Sequence, residues 1–217
     1  MAAKVSYTVS KKEQEHMNCF ISTKRDFLKT IMGHLPERFI KHSERVRDIV
    51  CLMAGYVPKE LQPEDMGSIE YCWSLSEGAY YHDIGVYLAR NDIELRPLKG
   101  EKLLREHWQT DVISPSCMIV LETVRDCCER VDGSGYPNAL SGDKLPVHAS
   151  ICAIADTVDM MMNTRPGSGN KAKSTAEYIK QNAGILFRND AVTCFEQAWE
   201  DIFELYLDSG KRIKGTV

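Results

Sequence analysis

Apolar residues recur every three or four positions in successive stretches of this chain of 217 residues. This spacing places the apolar side chains of each stretch on one face, which is typical of amphipathic helices packed around a core. No repeat and no strand-turn-strand pattern interrupts the series. The pattern therefore predicts an all-α protein, a single-domain helical bundle. The predicted helices cover residues 11–32, 36–54, 63–85, 101–107, 111–129, 147–163, 175–186 and 190–207.

Glycine and proline mark the connections between these stretches. Residues 131–146 are rich in Gly, Pro, Asn, Asp and Ser, which predicts a loop, and a second loop is predicted around Pro97 and Gly100. Residues 165–173 form a polar Gly/Pro/Ser/Lys segment, which predicts a mobile link. The expected organisation is an N-terminal helix within 1–35 (a linker or a dimerisation element), a domain over 36–205, and a basic tail over 206–217.

Composition excludes several classes of protein. The net charge of −4 argues against a broad basic surface for nucleic acid, but it leaves room for a local basic pocket for a small anion. No apolar run approaches the roughly 20 residues that span a bilayer, and the N-terminus lacks the apolar core of a secretory signal. The eight cysteines are scattered without a CxxC pair. We therefore expect reduced thiols in a cytoplasmic protein with no membrane partner.

Four residues could form a metal site if the fold brings them together. His42, His82, Asp83 and Asp156 are far apart in sequence, and imidazole with carboxylate ligands suits Fe, Mn, Zn or Mg. A site of this kind with open positions suits hydrolysis. Asp156 lies in an apolar stretch, where an unpaired carboxylate is costly. Each residue alone is weak evidence, since a single helical histidine is more often structural.

The same residues belong to longer matching segments, and together these resemble the HD superfamily of metal-dependent phosphohydrolases, more closely its HD-GYP branch. The similarity covers roughly residues 36–205. The segments are His42-Ser43-Glu44-Arg45-Val46, Tyr81-His82-Asp83-Ile84-Gly85, His107, Glu129, Asp132-Gly133-Ser134-Gly135-Tyr136-Pro137, Ala155-Asp156, Asp159 and Thr164-Arg165-Pro166.

The resemblance implies an all-α fold of the HD-domain type and cleavage of phosphate esters. For HD-GYP members the substrate is usually cyclic di-GMP, and the metals are usually two or three iron or manganese ions. By the same resemblance, His42, His82, Asp83 and Asp156 would be the core metal ligands. Asp83 would bridge two ions and His107 would serve the second, while Arg165 would contact the substrate phosphate.

This sequence departs from the branch at several positions. Cys127 and Cys128 stand where histidines are expected, Val86 replaces a phosphate-binding lysine, and Arg38 replaces a glutamate. The two cysteines would serve as ligands only for a borderline or soft metal such as zinc or iron; otherwise they are small buried hydrophobes in an abandoned site. We therefore expect one or two divalent ions of Fe, Mn or Zn.

Two functions of different classes remain open. The first is a phosphohydrolase or phosphodiesterase that acts on a nucleotide or cyclic dinucleotide, in which Asp83 orients the nucleophile and Arg165 stabilises phosphoryl charge. Lys144 and Arg130 are candidates to bind the anionic substrate, although each could be a solvated surface charge. Tyr136 could stack on a base or anchor its loop.

The second function is a catalytically silent module that senses a nucleotide or docks a protein, with a homodimer or a signalling protein as partner. A third and weaker hypothesis is redox sensing through the adjacent Cys127 and Cys128. An adjacent pair forms a strained disulfide ring, which disfavours it.

Overall fold

A computed structural model of the protein describes residues 28–89, 92–108, 114–163 and 171–212, the side chains of 108 and 208–212 excepted. Within these residues the secondary structure is helical, with isolated bridges and no strand, which confirms the all-α prediction. Residues 28–33 are helical as well. The named helices are α1 (Glu37–Ala54), α2 (Ser68–Tyr81), α3 (Val86–Ala89), α4 (Arg96–Trp108), α5 (Pro115–Asp126), α6 (Val147–Asn163), α7 (Lys171–Gln181) and α8 (Asn189–Arg212).

Two hydrophobic clusters form the core. The first joins α1, α2, α6 and α8 through fully buried residues such as Ile49, Leu75, Ile154 and Phe195. The second cluster joins residues 28–35, α4, α5 and the residues at the end of α2. Its buried members include Leu28, Met32, Tyr81, Ile84, Leu104 and Leu121. Part of the segment that we expected to be a linker or dimerisation element therefore contributes to the core.

The start of α4 differs from the sequence prediction. We predicted a loop around Pro97 and Gly100, and this was wrong, because α4 begins at Arg96. Pro97 occupies the first turn of α4, where its missing N–H removes no helical hydrogen bond. A methyl group on Gly85 would lie 1.9 Å from the carbonyl oxygen of Arg96. Only glycine at position 85 allows the first turn of α4 to pack this closely.

The other predicted boundaries agree to different extents, since α2 spans Ser68–Tyr81 where 63–85 was predicted, and α7 spans Lys171–Gln181 where 175–186 was predicted. The apolar stretch whose length favoured a helix is α6 with the predicted bounds, Val147–Asn163. The segment 131–146 is a loop, as predicted, with one short 3₁₀ turn at Gly142–Lys144. Of the predicted mobile link, residues 171–173 belong to α7 and 165–170 lie outside the described residues. No helix in the described part of the chain is long and apolar enough to cross a membrane.

Candidate metal centre

Three of the predicted ligands meet in the fold. His42 comes from α1, His82 from the turn that follows α2, and Asp156 from α6, and one ligand atom from each lies within 4.8 Å of the other two. Nε2 of His42 is 3.2 Å from Oδ1 of Asp156. The ring centroids of His42 and His82 are 5.2 Å apart, with the rings edge to face. The helices therefore bring residues that are distant in sequence into one cluster.

The His82 side chain presents a lone pair to this cluster. Its Nδ1 donates a hydrogen bond to the carbonyl oxygen of Ala79 at 2.7 Å, which leaves Nε2 as the unprotonated nitrogen of the neutral ring. His82 is 2 % exposed, and Nε2 has no hydrogen-bond partner among the described residues. A buried acceptor without a partner is costly. A cation bound at Nε2 would satisfy this nitrogen, so the residues fit a metal ion.

A network of hydrogen bonds holds the His42 ring in place. Its Nδ1 donates to Oδ2 of Asp159 at 2.7 Å. Asp159 is buried and also accepts hydrogen bonds from Arg45 at 2.6 and 2.9 Å, from the hydroxyl of Tyr206 at 3.0 Å and from Asn163 at 2.7 Å. A carboxylate behind a ligating imidazole fixes the orientation of the ring and raises its basicity. Nε2 of His42 therefore faces the cluster in one orientation.

The charges around His42 favour a cation. Burial by itself would lower the pKa of His42, but hydrogen bonds to Asp156 and Asp159 outweigh burial and raise the pKa to about 9. Burial also opposes ionisation of Asp156, yet its hydrogen bond with His42 keeps the pKa of Asp156 below the ordinary value. The two carboxylates thus attract a positive charge to this position. Metal ions compete with protons for such sites.

Asp83 lies beside the cluster but is engaged elsewhere. Oδ1 of Asp83 is 3.7 Å from Nε2 of His82. The same oxygen forms an ion pair with Nη1 of Arg96 at 2.9 Å. The side chain of Asp83 is 7 % exposed. Sequence reasoning missed Arg96, because the segment before Pro97 was predicted to be a loop and carries no motif. The only sign of Arg96 in the sequence was an arginine that precedes a proline, after the turn that carries His82 and Asp83 (the His-Asp turn).

Cys127 and Cys128 are not part of the three-residue cluster, and Cys128 lies against Arg96. Their sulfur atoms are 3.9 Å apart, and Nη2 of Arg96 is 4.0 Å from Sγ of Cys128. The hydrogen bond with Cys127, followed by burial, raises the pKa of the Cys128 thiol far above its usual range. The seven cysteines in the described part of the chain are free thiols. His107 is half-buried on α4 and is not part of the three-residue cluster.

The glycine-rich loop is held tightly against the residues that follow α5. Glu129 is fully buried, and its two carboxylate oxygens accept the backbone N–H groups of Asn138 and Leu140 at 2.6 and 2.9 Å. A methyl group on Gly135 would lie 2.4 Å from backbone atoms of Glu129 and Arg130, so this position requires glycine. These contacts fix the conformation of the loop that carries Tyr136.

Tyr136 belongs to the group around Arg96. Its backbone N–H donates to the carbonyl oxygen of Cys128 at 3.3 Å. Its hydroxyl is near enough to Arg96 and Cys128 to influence the pKa of both groups. Burial, followed by the hydrogen bond to Cys128, raises the pKa of Tyr136 to about 12. Tyr136 therefore keeps its proton at neutral pH and acts as a neutral hydroxyl.

The remaining predicted residues lie in other environments. Arg130 donates hydrogen bonds to the carbonyl oxygens of Glu129 at 2.8 Å and Cys127 at 3.4 Å, and its guanidinium lies over the ring of Phe187. Lys144 is exposed in the 3₁₀ turn. Arg165 lies outside the described residues.

Arg38 and Val86, which mark departures from the HD-GYP pattern, are also described. Arg38 is exposed, with its guanidinium 5.1 Å from the centre of the Phe39 ring. Val86 is half-buried at the start of α3. A cavity of about 680 Å³ lies between α1 and α2, lined by residues that include Cys51, Gln62 and Trp73. None of the clustered histidines or carboxylates lines it.

Comparison with known proteins agrees with the resemblance of the sequence to the HD superfamily. Residues 90–188 match the HD domain family. A cyclic di-GMP phosphodiesterase of Thermotoga maritima is 28 % identical over 178 residues, which cover 76 % of this chain and 46 % of that protein. The cyclic di-GMP phosphodiesterase response regulator RpfG of Xanthomonas campestris is 50 % identical over 60 residues, 27 % of this chain and 16 % of the relative.

A 3'3'-cGAMP-specific phosphodiesterase of Vibrio cholerae is 29 % identical over 138 residues, 57 % of this chain and 26 % of that protein. The chain thus spans less than half the length of these curated relatives. The matched family segment includes Asp156 and the glycine-rich loop, and the helical fold adds His42 and His82 to the same centre. The sequence match over residues 90–188, the all-α fold and the clustered ligands all agree with the resemblance to the HD superfamily.

Proposed function

We propose that this chain is a metal-dependent phosphodiesterase domain of the HD-GYP type, and that it hydrolyses a cyclic dinucleotide. The observation that carries the proposal is the cluster of His42, His82 and Asp156, in which a buried nitrogen of His82 has no hydrogen-bond partner among the described residues. The relatives named as phosphodiesterases of cyclic di-GMP and 3'3'-cGAMP support the substrate class.

His42, His82 and Asp156 would hold the ion. A divalent ion supplies a Lewis acid and lowers the pKa of a water molecule when it is bound. Two nitrogen donors and one oxygen donor suit iron, manganese or zinc. The chain contributes preorganisation, because Asp159 and the Ala79 carbonyl hold the two rings in fixed orientations.

In the reaction, the oxygen of a water molecule bonds to phosphorus, the ester P–O bond breaks, and the released ester oxygen gains a proton. The proposed role of Asp83 is to accept a hydrogen bond from this water, since its Oδ1 lies 3.7 Å from Nε2 of His82. Tyr136 is proposed to contact the substrate from the glycine-rich loop. Arg165 is proposed to contact the phosphate, and Lys144 and Arg130 to add positive charge nearby.

We further propose that the domain works in a reducing, cytoplasmic environment, where its many thiols stay reduced. The free thiols of the described cysteines support this location. A homodimer or a signalling protein remains our proposal for a macromolecular partner.

The second candidate function is a catalytically silent module that binds a nucleotide. The ion pair between Asp83 and Arg96 favours this silent module. The guanidinium already occupies a carboxylate oxygen that a second ion or a nucleophilic water would need. The retained cluster of His42, His82 and Asp156 favours the enzyme. Hydrolysis of the bound nucleotide distinguishes the two functions, since only the enzyme would release a product.

The test is hydrolysis of cyclic di-GMP and 3'3'-cGAMP by protein that has been stripped of metal and reconstituted with Mn²⁺ or, without oxygen, with Fe²⁺. We expect a linear nucleotide product from the wild type, none after chelation, and none from His82→Ala. His34→Ala is the matched control and should retain activity, because His34 makes the same kind of bond from Nδ1 to a backbone carbonyl at an exposed position. A metal-loaded wild type that binds the dinucleotide without turnover would establish the silent module instead.

A further inference from the structure

The ion pair of Arg96 with Asp83 lies directly beside the candidate metal centre. Oδ1 of Asp83 is 2.9 Å from Nη1 of Arg96 and 3.7 Å from Nε2 of His82. The same carboxylate oxygen therefore faces the guanidinium on one side and a proposed metal ligand on the other. The Arg96 side chain is 22 % exposed, so it is accessible from solvent.

The backbone holds Arg96 in this position. Gly85 packs against the carbonyl oxygen of Arg96 and the backbone nitrogen of Gly100, at distances that exclude any side chain at position 85. On the other side, Nη2 of the guanidinium is 4.0 Å from Sγ of Cys128, and the nearby Tyr136 hydroxyl contributes to the raised pKa of Arg96. Arg96 is therefore enclosed by three separate segments of the chain, and its charge is fixed relative to the cluster.

A fixed guanidinium at this position has two consequences. A second divalent ion bound to Asp83 on the same side would lie close to a permanent positive charge, and like charges at this distance repel. A phosphate ester held at the metal centre would instead meet a planar donor, and guanidinium groups bind phosphate oxygens with paired N–H donors. The arrangement therefore favours one ion together with one arginine.

We propose that Arg96 supplies the second positive charge of this site: the centre takes a single divalent ion, and Arg96 binds a phosphate oxygen of the substrate beside it. This inference rests on the proposed function, because it assumes that the cluster of His42, His82 and Asp156 holds an ion and that the substrate is a phosphate ester.

Two binding measurements on the whole chain test the inference without turnover. The first is the number of Mn²⁺ ions bound per chain at saturation, which should be one for the wild type. The second is the affinity of the Mn²⁺-loaded protein for inorganic phosphate. Arg96→Gln should bind phosphate at least about tenfold more weakly, the loss expected for a hydrogen bond to a charged group. Arg96→Lys keeps the charge without the planar fork and should bind with intermediate affinity.

The matched control is Arg105→Gln. Arg105 lies on the same helix, is 41 % exposed, and pairs with Glu101. This variant should bind phosphate as the wild type does. Circular dichroism and thermal melting check the fold of each variant, and Arg96→Lys keeps the test decisive if Arg96→Gln does not fold.

Each outcome decides the inference. Two bound Mn²⁺ ions in the wild type, or unchanged phosphate affinity in folded Arg96→Gln or Arg96→Lys, would overturn the role of Arg96 and leave the proposed function standing. A wild type that binds no ion would overturn both. One ion, together with weakened phosphate binding in the Arg96 variants alone, is the expected result.

Discussion

Replacing Gly85 with alanine is expected to destabilise the protein severely, because the added methyl group would enter backbone atoms. The new Cβ would lie 1.9 Å from the carbonyl oxygen of Arg96 and 2.6 Å from the nitrogen of Gly100, whereas ordinary contacts begin near 3.4 Å. The first turn of α4 would have to retreat by about 1.5 Å, which disturbs the packing of the second hydrophobic cluster. Backbone atoms cannot move aside as a flexible side chain can.

Overpacking of a close-packed core usually costs 1–3 kcal/mol, and a backbone clash belongs at the upper end of this range. We therefore expect the free energy of unfolding to fall by about 3 kcal/mol. For a chain of this size, that corresponds to a decrease in Tm of roughly 6–12 °C. The measurement is denaturant unfolding followed by circular dichroism, with a thermal melt in parallel.

Gly55→Ala is the control for the effect of glycine replacement itself. Gly55 has φ −65° and ψ −16°, and nothing lies within 4 Å of a methyl group there. Alanine at such a site is expected to change stability by less than about 1 kcal/mol, in the stabilising direction. If Gly85→Ala were as stable as Gly55→Ala, the close packing of α4 against the His-Asp turn, and with it the fixed position of Arg96, would be refuted.

Three further predictions concern the network behind the site, the loop and the pH response. Asp159→Asn should weaken Mn²⁺ binding about 10- to 100-fold in titrations, since it removes the carboxylate that orients His42. Glu129→Gln should lower the free energy of unfolding by about 1–3 kcal/mol in urea, because an amide nitrogen would replace one acceptor of two backbone N–H groups. Nε2 of His148 lies 3.0 Å from Oε2 of Glu122 and lowers the pKa of Glu122 below its ordinary value of 4.5, so this carboxylate stabilises the fold above pH 4.5 and loses that effect as the pH falls through the lower, folded-state pKa. Urea midpoints measured against pH should therefore fall less steeply on the acid side in Glu122→Gln than in the wild type.

Each of these predictions has a clear contrary result. Unchanged Mn²⁺ affinity in Asp159→Asn would show that the His42 ring needs no carboxylate behind it. A Glu129→Gln variant as stable as the wild type would mean that the loop is held by other contacts. Parallel acid-side curves for Glu122→Gln and the wild type would show that the Glu122–His148 ion pair contributes no stability.

Much of the fold could be predicted from the sequence, because hydrophobic periodicity reports directly on which face of a helix is buried. The bounds of α6 were predicted from run length and composition alone. The start of α4 was missed because Pro97 and Gly100 are ordinary loop signals. Gly100 lies in the helix because α4 packs against Gly85. That contact is tertiary, and no local pattern encodes it.

The candidate site, like the fold, could be predicted from the sequence only in part. The meeting of His42, His82 and Asp156 was expected from residue types that bind metal and from the resemblance to the HD superfamily. The partner of Asp83 was not expected, because Arg96 reaches it only through the packing of α4 on the His-Asp turn. The hydrogen bond of Asp159 to His42 likewise depends on how α6 faces α1. Side-chain pairing across helices requires the three-dimensional structure.

The central claim is that the cluster of His42, His82 and Asp156 holds a divalent ion, and the most direct test is equilibrium binding of Mn²⁺ measured by electron paramagnetic resonance. Wild type, His82→Ala and the control His34→Ala are titrated after metal is stripped. We predict saturable binding in the wild type and in His34→Ala, and loss of binding in folded His82→Ala. Equal Mn²⁺ binding by His82→Ala and the wild type, or no binding by any of the three proteins, would contradict the account.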